Sequence, residues 1–151
     1  MTDEQYMREA VAQAYANVEA GGQPFGAVLV RNGEILASTS NKTHITHDPT
    51  AHAEIQAIRE ASAKLGTPDM TGAVMYASGQ PCSMCYAAMA RCGIRTAFVA
   101  YSDADGEPFD FSTVASYEEI SRAPEARVLQ LRPLKPTGER GLYEAWQARQ
   151  S

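Results

Sequence analysis

The chain lacks the features that mark membrane and secreted proteins. In its 151 residues no apolar run approaches the ~20 residues that a membrane span needs. The first ten residues, MTDEQYMREA, are polar and acidic, so we expect no signal peptide and a cytoplasmic location. There are only three cysteines, an odd number that cannot all pair within one chain. A reducing compartment disfavours disulfides, which favours metal binding or catalysis for Cys82 and Cys85.

Concentrated positive charge is also missing. The formal net charge is −5, and no cluster of Lys and Arg stands out. Residues 121–151 hold six Lys or Arg among three acidic residues, without a contiguous basic block. We therefore expect no nucleic-acid partner. The composition, 44% hydrophobic and 21% charged, is that of a globular protein, and the length predicts a single domain over residues 1–151.

Periodicity and turn signals predict alternating helices and strands. Two strands should flank Asn32-Gly33, a strong hairpin signal. Asp48 and Pro49 are a good cap and first residue for a helix. Helices are predicted at 3–20, 49–65, 82–91, 116–122 and 138–149, further strands at 72–78, 95–102 and 126–132, and loops at 41–48 and 102–115. This order predicts an α/β fold, with a mixed five-stranded sheet between two layers of helices.

Four residues in two distant segments have the chemistry of a catalytic metal site. Cys82 and Cys85 stand three apart near the start of a predicted helix, so both sulfurs can reach one ion. The helix start favours the thiolate form. His52, near the start of another helix, supplies the imidazole that zinc also accepts. Three protein ligands leave a position for water, and Glu54, two residues from His52, is placed to manage the proton of that water.

Each of these residues also has a simpler interpretation. The C-x-x-C pair alone could be a thioredoxin-like redox pair. His52 alone could be a partly buried histidine, and Glu54 alone a solvated helix residue. Two other histidines, His44 and His47, lie in a predicted loop and are expected to be merely exposed. Cys92 is expected to be a small core residue.

The combination HAE followed by PCSMC resembles the H-x-E…P-C-x-x-C signature of the zinc-dependent cytidine deaminase superfamily. DPTAHAEI and PFGAVLV are most similar to the branch that contains bacterial guanine deaminases and tRNA adenosine deaminases. The similarity covers residues 3–101. It implies a three-layer α-β-α sandwich of the cytidine deaminase type, with one Zn²⁺ held by His52, Cys82 and Cys85 and with Glu54 as the proton shuttle.

The resemblance also implies an activity and further site residues. The activity is hydrolytic deamination of an aminated nucleobase, nucleoside or related heterocycle of the guanine or cytosine type, with release of ammonia. Asn41, eleven residues before the zinc histidine, would hydrogen-bond the substrate, although alone it could be a turn residue. Phe25 matches a position that lines the pocket, and is equally compatible with the core. A homodimer is expected, because these deaminases often complete their pockets across an interface.

Gln80 departs from the family pattern. Guanine and tRNA adenosine deaminases usually carry Glu before the P-C pair, and cytosine and cytidine deaminases usually carry Ser. A carboxylate accepts hydrogen bonds only, whereas the Gln80 amide offers one donor and one acceptor. A ring edge of mixed donors and acceptors would suit Gln80 better than guanine's N1–H and 2-amino donors. The alternative is that Gln80 only caps the following helix.

The C-terminal segment supplies the remaining candidates. In guanine deaminases this segment closes over an active site, often that of a partner subunit, so residues 133–151 are a candidate lid. Tyr143, Glu144 and Trp146 could contact the substrate there, although Trp146 lies at helical spacing from Leu142 and could be core. Asp110, between two phenylalanines in the long loop, is another substrate-binding candidate.

Two other functions compete with deamination of a small heterocycle. A tRNA adenosine deaminase would carry the same motif, but should present a concentrated basic patch. A non-enzymatic, zinc-stabilised scaffold would explain the departure at Gln80. The presence of Glu54 and of only three protein ligands argues against the scaffold.

Overall fold

The computed structural model describes residues 1–150 and contains one four-stranded sheet. Its strands are β1 (Gly26–Arg31), β2 (Glu34–Ser40), β3 (Val74–Gly79) and β4 (Thr96–Tyr101), in the spatial order β2-β1-β3-β4. β1 pairs antiparallel with β2 and β3, and β3 pairs parallel with β4, so the sheet is mixed, as predicted. The predicted hairpin joins β1 to β2 through Asn32 and Gly33, which both have positive φ, at 53° and 76°.

Helices cover both faces of this sheet. The α-helices formed by residues 1–150 are α1 (Asp3–Glu19), α2 (Thr43–Thr46), α3 (Ala53–Leu65), α4 (Ser83–Arg91), α5 (Asp103–Gly106), α6 (Val114–Ser121) and α7 (Leu142–Ala148), and those that pack on the sheet belong to the part of the chain before residue 122. Val28 and Val30 of β1 pack with residues of α1, whereas Ala27 and Leu29 pack with residues of α3 and α4. Because successive side chains of a strand point to opposite faces, β1 contributes to both cores. The predicted α/β fold is therefore confirmed.

The fifth strand predicted at residues 126–132 is wrong. Pro124–Ala126 forms a 3-10 turn, and no residue between 127 and 150 pairs with a strand. Val128, Leu129 and Leu131 are 85%, 73% and 83% exposed. The alternating pattern of RVLQLR is compatible with a strand, but a strand is stabilised only by a paired neighbour and by packing of its apolar face.

Several helix boundaries also differ from the prediction. α3 begins at Ala53 rather than at residue 49, because Asp48 Oδ1 accepts hydrogen bonds from the backbone N and Oγ1 of Thr50 and so closes a local turn. The loops predicted at 41–48 and 102–115 contain the one-turn helices α2 and α5. α6 begins two residues early, and α7 is shorter than predicted.

The chain divides into two compact units, Met1–Ser121 and Arg122–Ser151. The first unit contains the sheet and α1 to α6, and the second contains α7. A single domain over 1–151 and a lid over 133–151 stay predictions. Within residues 1–150 there is no helix whose length and apolar character would allow it to span a bilayer.

Candidate active site

Two helix starts bring the predicted metal ligands together. His52 is the N-cap residue of α3, and Cys82 is the N-cap residue of α4. Neither helix has a side-chain hydrogen bond at its cap, so both side chains are available to a ligand. Cys85 lies one turn into α4 and is fully buried. This arrangement places three donor atoms, one from each residue, within 4.8 Å of one another.

The distances between these atoms fit a zinc ion. Nδ1 of His52 lies 3.6 Å from Sγ of Cys82 and 3.5 Å from Sγ of Cys85. Zinc bonds of ~2.0 Å to nitrogen and ~2.3 Å to sulfur, joined at a tetrahedral angle, separate the two ligand atoms by about 3.5 Å. One imidazole and two thiols also match the donors that zinc prefers. All three predicted ligands therefore fit one ion.

The electrostatics of the site favour a thiolate at Cys82. Hydrogen bonding with Cys85 and with His52 lowers the pKa of Cys82 to about 4. Hydrogen bonding with Cys82, together with burial, raises the pKa of Cys85. The hydrogen bond with Cys82 also raises the pKa of His52. The chain alone therefore favours the thiolate form of Cys82, which is the form that binds a metal ion.

Glu54 follows the zinc histidine by two residues and lies in the first turn of α3. Its side chain is buried, and burial raises the pKa of its carboxyl group. Hydrogen bonds from Cys85 and from the Glu54 backbone act in the opposite direction but do not outweigh burial. A carboxyl group with a raised pKa takes up a proton more readily, which suits a residue that accepts and returns protons.

The metal ligands open onto a cavity of about 280 Å³. His52, Glu54 and Cys82 lie on its wall. The predicted substrate-binding residues Phe25, Asn41, Gln80 and Asp110 line the same cavity, with Gln23, Phe111, Ser112, Thr113 and Ser116. A second cavity of about 500 Å³ adjoins it and shares Phe25, Gln80 and Phe111. The fold thus brings together four substrate-binding candidates that are far apart in sequence.

Asn41 is held firmly in the cavity wall. It is 1% exposed, its backbone N–H donates to Phe25 O at 3.0 Å, and its carbonyl accepts from Asn17 Nδ2 at 2.9 Å. Its Oδ1 accepts from the backbone N and the hydroxyl of Thr43, at 3.0 and 2.7 Å. Asn41 is therefore a turn residue, and it also presents its amide group to the cavity.

Gln80 could instead be a helix cap, and Phe25 could instead be a core residue. The N-cap of α4 is Cys82, and the Gln80 side chain makes no hydrogen bond to any residue between 1 and 150, so the interpretation of Gln80 as a cap is wrong. Phe25 packs against the core and also lines the cavity, so both of its interpretations hold. The Phe25 ring packs edge-on against the Phe111 ring, and the ring centroids are 5.1 Å apart. Asp110 follows a 3-10 turn at a positive φ of 67°.

The segment that closes the cavity beside α4, residues 113–117, was not among the predicted site residues. Ser116 Oγ accepts from the backbone N of Ser83 at 3.1 Å, and the Tyr117 hydroxyl donates to Pro81 O at 2.6 Å. Thr113 donates from its backbone N and its hydroxyl to Asp103, at 2.7 and 2.9 Å. These contacts join residues up to 36 apart in sequence, so only the tertiary structure places them.

Tyr143, Glu144 and Trp146 belong to α7, in the second unit. All three are exposed, and the Trp146 side chain is 63% exposed. Trp146 is therefore not a core residue of the second unit. Substrate binding by these three residues stays a prediction.

Comparison with known proteins gives the family. Residues 1–101 match the family model for the cytidine and deoxycytidylate deaminase zinc-binding region. The chain belongs to this deaminase family. It is 35% identical to guanine deaminase of Bacillus subtilis over 147 residues, which is 97% of this chain and 94% of that protein. The X-ray structure of guanine deaminase from Bacillus subtilis superimposes with a TM-score of 0.90 at 34% identity, covering 98% of this chain and 95% of that one.

The other branch of the family is similar over a shorter region. The chain is 45% identical to tRNA-specific adenosine deaminase of Bacillus subtilis over 87 residues, or 58% of this chain and 54% of that protein. The family assignment favours zinc binding over a redox pair for Cys82 and Cys85, because the matched region is a zinc-binding one. The protein is therefore a zinc-dependent deaminase, a hydrolase of a cyclic amidine C–N bond, and binds one zinc ion.

Proposed function

We propose that this deaminase acts on a free aminated base of the guanine or cytosine type. The observation that carries the proposal is the position of Glu54, buried on the wall of the same cavity as His52 and Cys82. The similarity to guanine deaminase along almost the whole chain supports a small substrate. The cavity of about 280 Å³ lies just below the ~300–1,000 Å³ range of ligand pockets, which suits a ligand as small as a free base.

Each residue of the site has a distinct role in this reaction. His52, Cys82 and Cys85 hold the zinc ion, which when bound supplies a Lewis acid that lowers the pKa of water from ~15.7 towards ~7. The oxygen of water adds to the ring carbon that carries the amine, and the bond between that carbon and the amine breaks. Glu54 accepts a proton from the water and passes it on. One proton ends on the ring nitrogen and one on the amine, which leaves as ammonia.

Asn41, Phe25, Gln80 and Asp110 are the proposed contacts of the ring. All four line the cavity of the metal site. The Phe25 ring offers an apolar face on which a flat heterocycle can stack. Gln80 offers one donor and one acceptor, so it favours a ring edge with both.

We also propose a homodimer in which residues 133–151 of one copy cover the site of the other. In residues 122–151, exposed apolar side chains are frequent: Val128, Leu129, Leu131, Leu134, Leu142, Tyr143 and Trp146. Residues 122–151 carry six Lys or Arg and three Glu, a net charge of +3. The net charge of the whole chain is −5, so residues 1–121 carry a net charge of −8. Exposed apolar surface and opposite charge both favour association between two copies.

The dimer is tested by the solution mass of the full chain. Light scattering should give twice the chain mass of 16.3 kDa. Trp146→Ala should weaken binding of the base while the dimer persists. A monomeric protein that is fully active would contradict both the dimer and the lid between subunits.

Deamination of adenosine in tRNA is the second candidate. It is favoured by the 45% identity to tRNA-specific adenosine deaminase over 87 residues. A basic segment at residues 122–151 could contact phosphate groups, and binding would then weaken steeply as salt rises. An electrophoretic shift with tRNA at low salt, together with inosine formation, would establish this candidate.

A substrate panel tests the proposed function. The zinc-loaded full chain is incubated with guanine, cytosine, adenosine, cytidine, an aminopterin, an aminotriazine and tRNA, and ammonia release is measured. We expect release from at least one free base. Release from tRNA alone would support the second candidate, and release from none would overturn both.

A further inference from the structure

Gln23 lies on the wall of the metal-site cavity, although no sequence motif marks it as a functional residue. Its side chain is exposed, but its backbone is fixed. The Gln23 carbonyl accepts from Asn17 Nδ2 and from the backbone N of Phe25, both at 2.8 Å. Asn17 is 4% exposed, and the same Nδ2 donates to the carbonyl of Asn41 at 2.9 Å. One buried side chain therefore holds Gln23 beside Asn41.

The orientation of the Asn41 amide follows from its partners. Asn41 Oδ1 lies 3.0 Å from the backbone N of Thr43. A backbone N–H can only donate, so the Asn41 atom facing it must be the oxygen. Asn41 Nδ2 is then the donor toward Gln23 Oε1, at 3.3 Å. The amide of Gln23 is oriented in turn, with its oxygen toward Asn41.

This pair leaves hydrogen-bond donors available to a ligand. Gln23 Nε2 makes no hydrogen bond to any residue between 1 and 150. Asn41 Nδ2 carries two hydrogens, and Gln23 Oε1 accepts one of them. Two neighbouring amide nitrogens on one wall of the cavity can thus each donate, and they match a ligand edge with two neighbouring acceptors.

We propose that Gln23 is a specificity-determining residue, which donates from Nε2 to an acceptor of the bound base beside the acceptor that Asn41 contacts. The inference rests on the proposed function and narrows its substrate class. Guanine presents two neighbouring acceptors, O6 and N7, on one edge, whereas adenine presents the acceptor N7 beside the donor N6. The pair Gln23–Asn41 therefore selects a guanine-like edge and rejects an adenine-like one.

Gln23→Glu isolates the proposed donor. Glutamate keeps an oxygen for Asn41 Nδ2 but has no N–H to offer. Gln5→Glu is the matched control, because it adds the same charge at an exposed side chain whose Oε1 accepts from the backbone N of Thr2. Both changes are made in a Glu54→Gln background, so that bound base is not consumed. Zinc content and thermal unfolding verify that each variant is folded and loaded.

Dissociation constants are measured by calorimetry for guanine, 7-deazaguanine, which lacks N7, and 2-aminopurine, which lacks O6. We expect Gln23→Glu to weaken guanine binding by about tenfold or more, and Gln5→Glu to leave it unchanged. The loss should be much smaller for the one analogue that lacks the acceptor of Gln23.

Two outcomes would overturn the inference. One is equal weakening of all three ligands, or of none, by Gln23→Glu. The other is failure of guanine to bind the loaded protein. Both differ from failure of the proposed function, which is the absence of ammonia release by the wild-type enzyme from every compound in the panel.

Discussion

His52 and Cys82 occupy the same position in two different helices: each is the N-cap residue, and Nδ1 of one lies 3.6 Å from Sγ of the other. The N-terminus of a helix carries partial positive charge and unpaired N–H groups. Two such ends therefore meet where the three residues that would hold the metal lie. The sheet fixes this meeting point, because α3 packs on β1 and β2 and α4 follows β3.

Removal of one thiol should remove the zinc. Cys85→Ser should lower zinc affinity by more than about a hundredfold, since loss of even an outer-shell partner of a metal ligand costs ~10–100-fold. Cys92→Ser is the control. Cys92 is also a free cysteine and is the C-cap residue of α4, but it does not belong to the metal-ligand cluster. Zinc per chain is measured by atomic absorption after dialysis. Equal zinc retention in both variants would contradict the assigned ligands.

Glu54→Gln should abolish most of the activity and leave the metal in place. The amide cannot accept and return a proton, so we expect kcat to fall by ~10²–10⁴-fold. Glu60→Gln changes an exposed carboxylate on the same helix and should have no effect. Ammonia release and zinc content are measured on both variants. Full activity of Glu54→Gln would remove Glu54 from the proton pathway.

Asn17→Ala should destabilise the protein. It deprives the buried carbonyl of Asn41 of its donor and removes one of two donors to Gln23. A buried unsatisfied carbonyl costs ~1–3 kcal/mol, so the free energy of unfolding should fall by about 2 kcal/mol. Gln13→Ala removes a single part-buried hydrogen bond from the same helix and should cost less than ~1 kcal/mol. The free energies of unfolding of both variants are measured by urea unfolding. Equal decreases would show that the Asn17 hydrogen bonds contribute no more to stability than that of Gln13.

Tyr76 should make stability depend on alkaline pH. Burial, and the hydrogen bond that its hydroxyl donates to Asp3 at 2.6 Å, raise the pKa of Tyr76 to about 12. In the unfolded chain a tyrosine titrates near ~10. The folded pKa is the higher one, so this contribution is complete below pH ~10 and is lost as pH rises from ~10 to ~12.

The comparison with Tyr76→Phe isolates this residue from other groups that titrate at high pH. Between pH ~9 and ~12 the unfolding free energy of the wild type should fall more steeply than that of Tyr76→Phe. Tyr143→Phe, at an exposed tyrosine, should follow the wild type. Parallel curves for all three proteins would show that the Tyr76–Asp3 bond contributes nothing.

The metal ligands could be predicted from the sequence because the residue spacings that indicate them are local. The spacing of Cys82 and Cys85 fixes both sulfurs on one face of a helix wherever that helix lies. The pair Asn32-Gly33 likewise specifies its own turn, since both residues tolerate positive φ. The start of α3 was predicted four residues too early, since Asp48 caps a turn with Thr50 instead of a helix.

What the sequence alone determined is therefore the chemistry of the site: a zinc-binding triad, His52, Cys82 and Cys85, and an acid, Glu54, beside it. Only the tertiary structure decided which polar groups meet the substrate, since Gln23 and Asn41 are brought together by the buried Asn17 of α1. It also decided that residues 126–132 form no strand in this chain, although their pattern alternates. Hydrogen bonds between distant segments depend on packing, and periodicity carries no information about them.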